Sequence, residues 1–179
     1  SVKTIARAVA LATLISAPAA AQTLSARPSL AAVKTDQPPQ IDGRIAGDAA
    51  WDAAQPGDGF RQVAPAEGAP MSERTEVRIV YTDTTLYIGV ICFDRTPSGI
   101  VAGDPRRDGA LDETDSIRLI LDTYRDRQSG FVFGTNPAAL EYDAQVVNEG
   151  QGGSFSQRQM GGSGGGFNIN WDGTWQVAT

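Results

Sequence analysis

The side chains best suited to chemistry lie in one polar stretch. Arg106-Arg107-Asp108 is followed at short spacing by Asp112, Glu113 and Asp115. Guanidinium groups give bidentate hydrogen bonds to carboxylates, and such a set of donors and acceptors also suits sugar hydroxyls or a carboxylated ligand. The same residues also read as a solvated, salt-bridged loop, in which each exposed pair contributes ~0–1 kcal/mol, and that is the favoured reading. Trp171 and Trp175 are the closest pair among the three tryptophans. They suit an aromatic platform, on which sugar C–H groups pack against the rings, or the packing of a hairpin around Asp172-Gly173.

Composition narrows the chemistry further. The 179 residues contain no His and one Cys. This stretch therefore has no Ser-His-Asp or Cys-His nucleophile, no His-ligated metal and no internal disulfide. A formal net charge of −6 repels nucleic acid. Gly161–Gly166 is not followed by Lys-Ser/Thr, so it is not a phosphate loop. Paired carboxylates are the remaining catalytic option, as in glycoside hydrolysis, and Glu113 with Glu141 or Asp143 can be drawn that way. No feature singles out an acid among them, and a non-catalytic domain is expected.

The elements that must position these residues are short. Lys3 and Arg7 lead an apolar run, Ala8 to Ile15, that ends in Ala19-Ala20-Ala21. This is the pattern of an export signal over residues 1–21, too short for a bilayer span. Residues 22–37 read as a leader or linker. Asp48 is placed to cap a helical turn carrying Trp51, and Trp51 and Phe60 are expected to fold onto the domain. Val77, Ile79 and Tyr81 alternate with Glu76 and Arg78, the period of a half-buried strand.

A turn at Thr82-Asp83-Thr84 then leads to Leu86–Phe93. Both faces of that segment are apolar, which predicts a central strand with Cys92 as a buried free thiol. Further strands are expected over Ser116–Thr123, Phe131–Thr135 and Leu140–Val147. Ile117, Leu119 and Leu121 should point inward, and Tyr124 and Tyr142 should pack on the sheet. Gly150–Gly166 reads as a mobile loop. Trp171-Asp172-Gly173 reads as a hairpin turn into a strand over Trp175–Ala178. No helical period appears after the signal, so the expected fold is all-β, an antiparallel β-sandwich over residues 38–179 that is incomplete at its C-terminus.

The order of these motifs resembles one family. Ile41-Asp42-Gly43-Arg44 with Trp51 resembles its opening, and Thr75-Glu76-Val77 with Leu86-Tyr87-Ile88-Gly89-Val90 resembles its core hairpin. Asp115-Ser116-Ile117 to Leu121-Asp122, then Gly130-Phe131 and Asn136-Pro137, follow in the family's order. The chain is similar to the family 9 carbohydrate-binding module. It most resembles the variant found at the N-terminus of large bacterial proteins, ahead of a domain of unknown function thought to be an outer-membrane-like β-barrel.

The resemblance implies a jelly-roll-like sandwich with an oligo- or polysaccharide gripped near a sheet edge between two Trp rings. Asp112 stands where one clamp Trp of the family would be, and the second clamp position falls beyond Thr179. The ligand-binding candidates are thus Arg106, Arg107, Asp112, Trp171 and Trp175. Some relatives bind calcium, which takes six to eight oxygens. Asp112, Glu113 and Asp115, with Asp122, Asp126 and Asp143, are the candidate ligands here, although no EF-hand spacing is present. Two roles are consistent with the resemblance, both in the periplasm, at the outer membrane or outside the cell. One is a sugar-binding module attached to a glycan-processing catalytic domain. The other is a structural accessory of a covalently linked membrane β-barrel.

Overall fold

The computed structural model describes residues 28–147 and 166–179. The segments expected to be an export signal and the first part of a leader, and nearly all of the stretch 150–166 expected to be a loop, lie outside the described residues. Within them the chain is almost entirely strand and loop, with two single-turn 3-10 helices at Ala49–Trp51 and Pro97–Gly99. No helix among the described residues is long and apolar enough to cross a membrane.

The first sheet has the order β1-β2-β3, from β1 (Val33–Lys34), β2 (Thr75–Tyr81) and β3 (Leu86–Cys92). The turn after Thr82 closes the expected β2–β3 hairpin, with Tyr81 opposite Leu86 and Thr75 opposite Cys92. β1 comes from the segment read as leader and pairs in parallel with the end of β2, Val33 opposite Val80. The ordered domain thus starts before Pro38. β2 is therefore the central strand, and β3 lies at the sheet edge, contrary to expectation.

The buried face of the hairpin also differs from the alternation read in the sequence. Glu76 and Val80 are buried, whereas Val77 and Ile79 are half-buried and Tyr81 is exposed. The cause is the capped turn. Asp48 Oδ1 accepts the Ala50 N–H at 3.0 Å, as an N-cap should, and this holds Trp51 against the sheet. Trp51 is 4% exposed and packs with Ala54 and Val80.

Gly89 makes this approach possible. A Cβ there would lie 3.1 Å from the Trp51 ring and 3.0 Å from Ile45 Cδ1, too close for an unmoved neighbour. The charged residues on this face have partners. The Arg78 guanidinium donates to the carbonyls of Ala54 and Trp51, and Glu76 accepts from Arg74. A buried polar group without such partners would cost ~1–3 kcal/mol. Phe60, expected on the domain, is 45% exposed. Cys92 is exposed as a residue, not buried, because it ends an edge strand. Its thiol pKa is still raised, local burial of the sulfur outweighing the hydrogen bond with Thr75.

The second sheet has the order β4-β5-β6-β7, from β4 (Ile117–Leu121), β5 (Gly130–Thr135), β6 (Tyr142–Val146) and β7 (Phe167–Asn168), all neighbours antiparallel. Ile117, Leu119 and Leu121 share a half-buried face, as expected. On the other face Val132, Tyr142 and Ala144 form a buried core with Leu111 and Leu140 from the flanking loops. Tyr142 is thus a core residue, while Tyr124 is 64% exposed. The segment from Trp171 to Thr179 is irregular, not a hairpin arm. Its side chains are held by ring packing and ion pairs in place of a ladder.

Candidate functional site

One cluster stands out, centred on Arg107. A tight turn at Arg106–Gly109 sets its backbone, with Gly109 N–H donating to the Arg106 carbonyl at 3.0 Å. Asp108 takes φ 58°, a left-handed conformation that Asp tolerates better than most residues. Its N–H donates to the Glu141 carbonyl at 2.9 Å, which docks the turn on the start of β6. Gly109 allows that docking, since a Cβ would lie 2.8 Å from Leu140 Cδ1. Buried Asn136 holds the other side. Its Oδ1 accepts from Ala138 and Leu140, and its Nδ2 donates to the Asp104 carbonyl.

With the turn fixed, Arg107 faces four carboxylates. Its guanidinium lies 2.6 Å from Glu141, 2.9 Å from Asp143 and 3.9 Å from Asp108, and it also pairs with Asp172. Glu141, just before β6, and Asp143 within it are two residues apart in extended chain and so point to the same side. Asp172 arrives from the last segment. The Asp143 side chain is 1% exposed and also accepts the Gly173 N–H at 2.8 Å, so it joins loop, sheet and C-terminal segment.

The electrostatics follow from this geometry. Partial burial pulls the Arg107 pKa down, but Asp143, Asp172, Asp108 and Glu141 together outweigh it, and the net shift is upward. Asp108 moves the other way from an ordinary paired acid. Burial raises its carboxyl, a hydrogen bond from the Asp143 backbone lowers it, the Asp143 charge raises it and Arg107 lowers it, with a net rise.

A carboxyl raised in the folded state supplies stability below its unfolded pKa and loses it as pH rises through the folded value. Asp108→Asn, which keeps an acceptor and tolerates positive φ, should therefore stabilise the protein at pH 7. The gain is a few tenths of a kcal/mol, because the side chain is partly screened by solvent. Urea unfolding at pH 7 and pH 4 checks this. The gain should fade at the lower pH, and an equal gain at both would show that charge is not its source.

Beside the cluster lies an aromatic group. Trp171 stacks tilted on Phe131, with ring centroids 4.5 Å apart, and edge-on to Phe133 at 5.9 Å. Trp175 meets Phe133 edge-on at 5.3 Å. Such pairs are worth ~0.5–1.5 kcal/mol each beyond area burial. Phe133 sits opposite Asp143 in the β5–β6 register, so the rings and the ion pairs share one face of the sheet.

The structure thus brings Arg107, Trp171 and Trp175 together and leaves the other candidates apart. Arg106 is exposed and paired with Asp104 at 2.7 Å. Asp112 pairs with Arg118 at 2.6 Å, on a different side of the second sheet from the rings. Asp115 accepts the Val101 N–H at 2.8 Å, and Glu113 is exposed. Among the described residues no group of three acidic side chains is arranged to hold a metal ion, so the calcium set of Asp112, Glu113 and Asp115 does not assemble. Asp122 and Asp126 instead cap backbone N–H groups of their own loop. Glu141 and Asp143, drawn earlier as halves of a hydrolytic pair with Glu113, share Arg107 instead. Sequence reasoning missed Glu141, Asp143 and Asp172 as partners of Arg107; the two-residue spacing of Glu141 and Asp143 was the available signal for that pair.

Comparison with protein-family models, curated proteins and solved structures finds no match for this chain.

Proposed function

We propose that this chain is an exported, non-catalytic module of the carbohydrate-binding type, folded as a jelly-roll-like β-sandwich and belonging to a larger glycan-processing protein. The observation that supports the reading is the Arg107 cluster beside Trp171. Its carboxylates outnumber its cation, and Asp172 is 78% exposed while Glu141 and Arg107 are each about one-third exposed. Free acceptor capacity next to an indole is what a sugar ring needs, hydroxyls at the edge and C–H groups on the face. Two mostly antiparallel sheets with almost no helix are consistent with the all-β part of this reading.

Calorimetric titration with a panel of neutral oligosaccharides tests this proposal. Binding should weaken about tenfold in Asp172→Asn or Glu141→Gln, about the value of one charge-assisted hydrogen bond. A folded protein that gives no heat with any glycan would sink the reading.

The alternative, a structural accessory of an outer-membrane β-barrel at the periplasm or cell surface, is favoured by a different observation. Trp171 and Trp175 spend their rings on Phe131 and Phe133, which stiffens the domain instead of presenting a clamp. In that case Asp172→Asn changes stability alone.

A further inference from the structure

The edge of the first sheet is built to take another strand. Phe93 N–H donates to the Arg74 carbonyl and the Thr85 carbonyl accepts from Thr82, so odd-numbered residues of β3 turn their backbone groups toward β2. By the alternation of an antiparallel ladder, Leu86, Ile88, Val90 and Cys92 turn theirs outward. Among the described residues no strand pairs with that side. Exposed edges are normally blunted by charge, proline or shortness. β3 has seven residues, Leu-Tyr-Ile-Gly-Val-Ile-Cys, and none of these devices. The other long edge, β4, is shorter and carries Arg118.

We propose that β3 pairs with β3 of a second copy, antiparallel and centred on Gly89, to give a symmetric dimer with one continuous six-stranded sheet. A two-fold interface must be self-complementary, and this register is. Leu86 meets Cys92 of the second copy and Ile88 meets its Val90, so every outward N–H and C=O finds its mate. Gly89 faces Gly89 at the centre, the closest and non-hydrogen-bonded position of the ladder. Just beyond the paired strands, the same register brings Asp83 toward Arg95 of the second copy, and these side chains are 84% and 78% exposed. Each end thus sets the Lys34–Asp83 pair beside the Arg95–Glu73 pair of the second copy. No like charges face each other within the paired strands. This edge belongs to the sheet that does not carry the Arg107 cluster, so the pairing stands apart from sugar binding.

The register makes a specific covalent prediction. Leu86 and Cys92 of one chain stand about 20 Å apart along the strand and cannot bond to each other. Across the interface they form a hydrogen-bonded pair at ~5.5 Å, within disulfide range. Leu86→Cys, treated with a thiol oxidant in mildly alkaline solution for long enough to allow for the raised Cys92 thiol, should give a disulfide-linked dimer. The wild-type chain, with its two Cys92 residues at opposite ends of the interface, should not.

Light scattering of the purified wild-type chain at micromolar concentration should give twice the monomer mass. Leu86→Pro removes an outward donor while leaving the bonds to β2 in place, and should weaken the dimer about tenfold in Kd. Circular dichroism checks that each variant keeps its strands. A folded wild-type chain that stays monomeric, a Leu86→Cys variant that does not cross-link, or a dimer indifferent to folded Leu86→Pro would each overturn the proposal.

Discussion

Trp51→Ala should lower the free energy of unfolding by about 3–4 kcal/mol, the range for removing a buried tryptophan from a core that cannot collapse around the loss. The first sheet has little else with which to fill the space. Its buried cluster consists of Trp51, Ala54 and Val80, supported by Val33, Ile45 and Tyr87. Deleting the indole also frees the carbonyl contacts that Arg78 makes with the capped turn, which are set by the position of that turn.

Trp51→Phe should cost much less, about 1–2 kcal/mol. The indole Nε1 is buried without a protein acceptor among the described residues, so losing that N–H forfeits no hydrogen bond. Urea titrations of the two variants followed by far-ultraviolet circular dichroism make the comparison. Equal losses would mean that the turn does not pack through the ring.

The second large effect belongs to Arg107. Arg107→Met should destabilise by about 2–3 kcal/mol, below the range for breaking a fully buried pair because the guanidinium is partly exposed. The cost arises at Asp143, whose buried carboxylate would keep only the Gly173 N–H. The double variant Arg107→Met/Asp143→Leu should recover much of it, since an ion pair replaced by apolar groups of similar size is often neutral. Recovery locates the cost at the stranded charge. No recovery would place it in the loss of Glu141 and Asp172 as well.

These two residues also mark what could and could not be read from the chain. The Asp48 cap, the hairpin and the order of the later strands follow from local spacing, because caps, turns and alternation act over a few residues. The face of β2 that is buried does not. Val77 and Ile79 alternate correctly, but burial was decided by Trp51 arriving over Gly89, and the sequence separates those two residues widely. The same holds for β1. Two residues in a polar, alanine-rich stretch carry no strand period, and they pair only because the end of β2 offers an open edge.

At the candidate site, Arg107, Trp171 and Trp175 were legible by type. Their separation from Arg106 and Asp112 was not, because Arg106 is drawn back to Asp104 and the left-handed Asp108 stands between Arg107 and Asp112. The calcium set failed for a related reason. Asp112 and Asp115 are near in sequence, but one is drawn to Arg118 and the other to the Val101 N–H.

The parallel pairing of β1 has a bearing on the order of events during folding. A hairpin such as β2–β3 closes from its own turn within microseconds, whereas a parallel pair must wait for a long connection to return. Val33 and Lys34 have no place to go until Val80 and Tyr81 are already held by β3. The strand that comes first among the described residues is thus the last to be laid on its sheet, and the first to come away when the protein opens.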